Sequence, residues 1–267
     1  MNDQSNPPAS LEQVRRQIDE IDAKLIELLR ERFAASEAVK SVKAATGRDS
    51  ASPIRPAREA IVMRRLIDAC EEPLPADLMV RLWRQIMTSS TLVQADASVH
   101  CTSATMQTGH QRDLIRDHFG RIPVMEHEDD DAALSAAAQN RIAVAAVPLH
   151  GNCAQVLSDG NIEQRAVIGT MPAFDSDGVP QLLIVGQPFE EPTGQDETLV
   201  LTSGHLPRDF SPAALWEVEL PSGDILTSLP GFLSSSQTPL LDLRQQRNGN
   251  LALRVLGRYP SPIRTDK

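Results

Sequence analysis

The sequence predicts a multi-domain protein: an all-α N-terminal domain of three helices over residues 1–95, then a C-terminal α/β (α+β) region over residues 96–267. Three observations carry this reading. Apolar residues recur at helical spacing from Leu11 onward. Charge changes character near residue 95: residues 1–95 hold 14 acidic and 14 basic residues, whereas 96–267 hold 22 and 12, so the whole net charge of -10 lies in the second part. Beyond that point short β-branched runs alternate with helical patterns, the signature of a sheet with helices packed on it.

The first helix is expected over Leu11–Lys43. Leu11, Val14, Ile18, Ile21, Leu25, Leu28 and Leu29 follow i, i+3, i+4, i+7 spacing. Ser10 and Gln13 fit a capping box at its start. Further along, Arg32 and Lys43 interrupt the apolar stripe. They are eleven residues apart, so they share one azimuth about 16 Å apart along the axis. Either both snorkel past the core to solvent, or an anion meets them, because basic groups on a core-facing stripe are otherwise costly. Arg15 precedes Arg32 by seventeen residues, about 25 Å along a straight helix. If Arg15 serves the same site, it must come from a second, antiparallel copy of the chain. A long helix with short partners also exposes much apolar surface, which dimerisation would bury.

TGRDSAS (46–52) reads as a loop, and Pro56 suits the first turn of a second helix. That helix has an expected stripe of Ile61, Val62, Leu66 and Ala69, with Arg58 and Glu59 in its first turn. Pro75 opens a third helix, where Leu78, Leu82, Ile86, Ser90 and Gln94 recur at i+4. Its polar end is either a stripe drifting to the surface or part of a pocket. Arg15, Arg32, Lys43 and Arg58, with Glu59, Ser90 and Gln94, would suit a small dianion carrying a hydroxyl, since arginine forks match carboxylates.

Several functions are excluded. An acidic second part and 3% aromatic residues argue against nucleic-acid binding and against an anionic membrane surface. No apolar run is long enough to span a bilayer, and MNDQSNPPAS lacks the features of a signal peptide. Cys70, Cys101 and Cys153 are an odd count at unrelated spacings, which suggests buried thiols in a reducing cytoplasm. No nucleophile–base pair, metal-ligand spacing or cofactor motif is visible, so neither cofactor nor metal is expected. The acidic run EHEDDD (126–131) reads most simply as a solvated helix start.

In the second part, strands are expected at Val99–Thr102, Ile142–Val147, Leu182–Val185, Thr198–Thr202, Ala214–Leu220 and Leu251–Leu256, and helices at Asp113–Phe119 and Asp129–Asn140.

With these residues in view, residues 8–95 resemble the all-helical (AroQ-type) chorismate mutases, in the form found fused to dehydratases of phenylalanine synthesis. LEQVRRQIDEIDAKLIELLRER is similar to that family's opening helix, with Val14 where a leucine is usual. ARE at the second helix and Ser90-Thr91-Leu92-Val93-Gln94 at the end of the third complete the pattern. The resemblance implies a homodimer that isomerises chorismate to prephenate in aromatic amino acid biosynthesis. It implies that Arg15 reaches into the partner's pocket while Arg32 and Arg58 help hold two carboxylates. Lys43 and Gln94 would hydrogen-bond the ether oxygen of the breaking bond, Glu59 the ring hydroxyl, and Ser90 a carboxylate. Arg32, Lys43 and Gln94 are thus the catalytic candidates. Arg55 stands where the family often has an acidic residue, and the preceding loop is about three residues longer.

The C-terminal region resembles a truncated prephenate dehydratase with an ACT-like tail, through RDLIRDHFG, VAAVPLHGN, LLIVGQPFEEPTGQDETLVLTS and LALRVLGRYPSP. The catalytic Thr-Arg-Phe position reads Pro180-Gln181-Leu182, and the Glu-Asn-Ser group and glycine-rich opening are missing. An inactive remnant with structural, oligomeric or regulatory roles is therefore expected. A non-catalytic regulator that binds chorismate or an aromatic amino acid is the alternative for the whole chain. An isochorismate pyruvate-lyase on the same scaffold is a third reading, which leaves the tail unexplained.

Overall fold

The structure is a computed structural model that describes residues 10–45, 54–158, 164–174, 178–189, 191–246 and 252–264; the side chains of residues 43, 44, 156, 158 and 244–246 fall outside the description. The chain forms two compact units, Met1–Ala51 and Ser52–Lys267.

The described residues of the first unit form one helix, α1 (Leu11–Ala45). Its start is the expected capping box: the backbone N–H of Gln13 donates to Ser10 Oγ at 3.2 Å, and that of Ser10 donates to Gln13 Oε1 at 2.7 Å. A lone helix cannot bury its own stripe, and Leu11, Ile18, Leu25 and Leu28 are exposed. The expected tail (1–9) and loop (46–52) lie outside the described residues.

The second unit opens with α2 (Pro56–Asp68) and α3 (Ala76–Gln94). Pro56 occupies the first turn of α2, where a missing N–H costs nothing. The spatial boundary therefore falls between Ala51 and Ser52, whereas composition and motif place one near residue 95. The difference arises because α2 and α3 pack on the sheet that follows. Their buried faces are accordingly not the expected stripes. On α2 the buried residues are Ala57, Ala60, Met63 and Ile67, and on α3 they are Val80, Arg84, Thr88, Ser90 and Thr91. Ile61, Leu78 and Leu82 are exposed. Small residues at 57 and 60 let α2 approach closely, and Met63 and Ile67 each contribute about 1.5–3 kcal/mol by burial. They form one cluster with Val80 and Ile263, against which Phe174 packs. Arg64 ties α2 down: its guanidinium donates to Thr193 Oγ1, Gln195 O and Ser261 O at 2.9–3.1 Å.

Among the described residues, nine strands form one mixed sheet. They are β1 (Ser98–Thr102), β2 (Val124–His127), β3 (Ala143–Pro148), β4 (Ala166–Met171), β5 (Leu182–Gly186), β6 (Asp196–Thr202), β7 (Trp216–Glu219), β8 (Ile225–Pro230) and β9 (Leu253–Pro260). Their order is β2-β1-β3-β5-β4-β9-β6-β8-β7. β1 runs parallel to β2 and β3; the remaining ladders are antiparallel except β4–β9, which is parallel. Five helices complete the unit: α4 (Ser103–Gln107), α5 (Gly109–Phe119), α6 (Asp130–Gln139), α7 (Cys153–Ser158) and α8 (Leu240–Gln246).

The core is two-sided. Val144 and Ala146 of β3 join Ile115 and Phe119 of α5 on one face. Ala143, Ala145 and Val147 join Leu134 and Ala137 of α6 on the other. β4 lies parallel to β9 with Val167 opposite Gly257, and a further bridge pairs Phe174 with Ile263 beyond the two strands. A Cβ at position 257 would collide with the Val167 backbone, so the approach requires glycine there.

Most expected elements of this region are present. β9 runs on to Pro260 because Tyr259 is still fully buried, and α5 begins earlier, at Gly109. EHEDDD serves partly as a helix start: Asp129 Oδ1 accepts from Ala132 N at 2.8 Å, and Asp130 and Asp131 lie in the first turn of α6. Its first two residues instead close β2, which periodicity did not reveal. β4 and β8 were likewise not expected.

Candidate functional site

The positions expected to carry chemistry divide between the two compact units. Arg15, Arg32 and Lys43 lie on α1 in one unbroken helical run, which supports the axial separation of Arg15 and Arg32. Arg15 is exposed. Arg32 is half-buried, and that burial lowers its guanidinium pKa. Lys43 belongs to the helix, but its side chain is outside the described set.

Arg58, Glu59, Ser90 and Gln94 lie in the second unit. Ser90 and Gln94 are one turn apart on α3, as their spacing requires. Gln94 Nε2 donates to Ser90 O at 3.3 Å, and Ser90 Oγ donates to Ile86 O at 2.8 Å. Arg58 is exposed in the first turn of α2. Arg55, just before it, turns outward to Glu191 at 2.8 Å.

Glu59 lies in the first turn of α2, where it was expected, and its carboxylate is paired within the chain. Its carboxylate accepts from Arg84 Nη1 at 2.6 Å, and both residues line a cavity shared with Thr88, Thr91 and His118. The Arg84 side chain is only 7% exposed, against 21% for Glu59. Burial lowers the Arg84 pKa, and the Glu59 charge and hydrogen bond push it back up. The guanidinium also sits 5.3 Å from the centroid of the Phe174 ring, a cation–π contact. His118 is held well below the usual histidine range, first by burial and then by Arg84, so it is neutral at neutral pH. Arg84, His118 and Phe174 were not among the expected site residues. A signal for Arg84 existed: Val80, Arg84, Thr88 and Thr91 share one helical face, and a lone charge on such a stripe requires a partner.

A second concavity, of about 420 Å³, lies at the C-terminal ends of β1, β2 and β3. Glu128, Asp129, Asp130 and Asp131 line it, with Thr105 and Asn152. Burial raises the Asp130 pKa, a hydrogen bond from the Asn152 backbone opposes this, and Asp131 and Asp129 add to the rise. Among the described residues, no three His, Cys, Asp or Glu side chains are placed to hold a metal ion, and no described helix is long and apolar enough to cross a membrane.

Residues 14–95 match the family model of chorismate mutase type II. Two relatives carry the same theme: the bifunctional chorismate mutase/prephenate dehydratase of Pseudomonas aeruginosa is 34% identical over 91 residues, and that of Neisseria gonorrhoeae is 35% identical over 85. Those alignments cover 33% and 32% of this chain and 25% and 22% of the relatives. The chain thus spans about a quarter of the length of the curated relatives it matches. Among solved structures, a prephenate dehydratase from Streptococcus mutans overlaps 62% of this chain and 98% of its own, with a TM-score of 0.40 and 11% identity.

Proposed function

We propose that this protein is a chorismate mutase that acts as a homodimer and converts chorismate to prephenate without cofactor or metal. One observation carries the reading: the match over residues 14–95 contains Arg15, Arg32, Lys43, Arg58, Glu59, Ser90 and Gln94 in order, on three helices. The substrate is a dianion with a ring hydroxyl, and this set holds four cations, an acid and two neutral hydrogen-bonding groups. The reaction is an intramolecular [3,3] rearrangement, so it needs no nucleophile and no proton transfer. Catalysis then consists of holding the reactive conformer and of aiming donors at charge developing on the ether oxygen. Lys43 and Gln94 supply those donors, while Arg32, Arg58 and the partner subunit's Arg15 hold the carboxylates. Ser90 contacts a carboxylate. Glu59, oriented by Arg84, accepts from the hydroxyl. The exposed apolar stripe of α1 supports a second copy as its cover. The reading also takes the protein to act in the cytoplasm.

The C-terminal region is inactive as a dehydratase in this reading. Pro180-Gln181-Leu182 replaces the expected catalytic triplet, and four acidic residues line the crevice at the strand ends, which would repel the prephenate dianion. The test follows chorismate absorbance, with prephenate identified as the product, for wild type, Lys43→Ala and Gln94→Ala. Both variants are expected to lose about two to three orders of magnitude in kcat, as removal of an oxyanion donor does. Unchanged rates would overturn the mechanism. Because Gln94 is a neutral donor, the rate should vary little between pH 6 and 8; a steep change there counts against it.

A further inference from the structure

Arg84 is a buried cation that has spent only part of its hydrogen-bonding capacity. Nη1 donates to Glu59, whereas Nε is buried and has no hydrogen-bond partner among the described residues. A guanidinium carries five donors in a rigid fork, so an unmet edge in a desolvated position is an opening for an acceptor. Beside it lies a cavity of about 240 Å³, walled by Val80, Leu114, Met171 and Phe174, with Arg84 and His118 as its inner polar groups. For scale, a hydrocarbon-lined cavity of about 150 Å³ accommodates benzene. There is room here for a ring and a short polar arm.

We propose that this cavity binds a small aryl monocarboxylate, with the carboxylate on the free edge of Arg84 and the ring against Leu114, Met171 and Phe174. The charge of the site selects the ligand class. Glu59 already neutralises Arg84, and Asp77 and Asp117 outnumber Arg81 at the same cavity, so each further negative charge on a ligand is disfavoured and a dianion such as phosphate is opposed more than a monocarboxylate. A neutral ligand leaves the Nε–H poorly matched. His118, kept uncharged by its surroundings, contributes a neutral ring nitrogen and adds no charge of its own.

The test is isothermal titration of the full-length protein with 3-phenylpropanoate, 3-phenylpropanamide and inorganic phosphate. The acid is expected to bind saturably at one site per chain. The amide should bind about ten- to a hundred-fold more weakly, the range of a charge-assisted hydrogen bond, and phosphate should give no saturable heat. Glu59→Leu/Arg84→Met removes the anion contact and leaves an apolar core. Leu114→Trp fills the cavity from its rim and leaves the Arg84–Glu59 pair intact, so it decides the matter if the double variant fails to fold. Each variant should abolish binding of the acid. The proposal is overturned if the acid does not bind, if the amide binds equally well, if phosphate saturates the site, or if Leu114→Trp binds like wild type.

Discussion

The pair between Glu59 and Arg84 sets up a stability prediction whose sign depends on how many partners are removed. Arg84→Met keeps most of the aliphatic stem and deletes the guanidinium. It leaves the Glu59 carboxylate, four-fifths buried, without the donor 2.6 Å away, and it removes the cation from the Phe174 face. Breaking a buried pair in this way costs about 3–5 kcal/mol. Because Glu59 retains some contact with water, the lower end applies, about 3 kcal/mol, or about 6–12 °C in Tm for a unit of this size. The double variant Glu59→Leu/Arg84→Met removes both charges together. Paired replacement by apolar residues is neutral or stabilising by about 1–4 kcal/mol, so the double variant should be the more stable of the two. The assay is equilibrium urea unfolding followed by circular dichroism and by tryptophan fluorescence, with Trp83 next to the pair in sequence. The reasoning fails if Arg84→Met lies within about 0.5 kcal/mol of wild type at unchanged m, or if the double variant is less stable than Arg84→Met.

Two further outcomes are expected. The folded-state pKa of His118 is depressed, so the unfolded chain binds a proton more readily than the folded one; stability present above the ordinary value of 6.5 is lost as pH falls below it. His118→Gln should flatten that fall between about pH 6.5 and 5, before most carboxylates titrate; identical urea midpoint slopes in the two proteins would contradict the assignment. Separately, inactive Arg15→Ala and Arg32→Ala proteins should regain mutase activity when mixed, because a mixed dimer contains one intact pocket. An absence of recovery after confirmed subunit exchange removes the cross-dimer role of Arg15.

How much of this was legible in the chain depends on what each residue answers to. The capping box at Ser10, Pro56 at a helix start and the Ser90–Gln94 spacing are local, and all three appear where the sequence puts them. AVAAVP and LLIVG read as strands because both of their faces are buried, which makes them continuously apolar. β8 escaped notice because its interior is polar: Thr227 and Ser228 are fully buried, and Ser228 bonds to Glu197 at 2.6 Å and lies 3.3 Å from the Tyr259 hydroxyl. Such residues look like a loop until their cross-strand partners are known. β4 was obscured by the register shift between Val167 and Gly169. The faces of α2 and α3 were misjudged because each helix has two apolar sides, and periodicity alone does not say which one the sheet takes. The relation of Glu59 to Arg84 follows from that same choice of face.

The seam between β4 and β9 divides the sheet into two lengths of chain. On one side of it lie β1 to β5, drawn from residues 98–186; on the other lie β6 to β9, from residues 196–260. Each half is a continuous length of chain, and every ladder except the seam joins strands within one half. The entropy of closing long loops is therefore met separately in each half, and the nine-stranded sheet is built as two smaller ones joined edge to edge. Gly257 is where the strands themselves come closest: the Val167 backbone leaves no room there for a side chain, and a further bridge from Phe174 to Ile263 ties the halves beyond the strand ends.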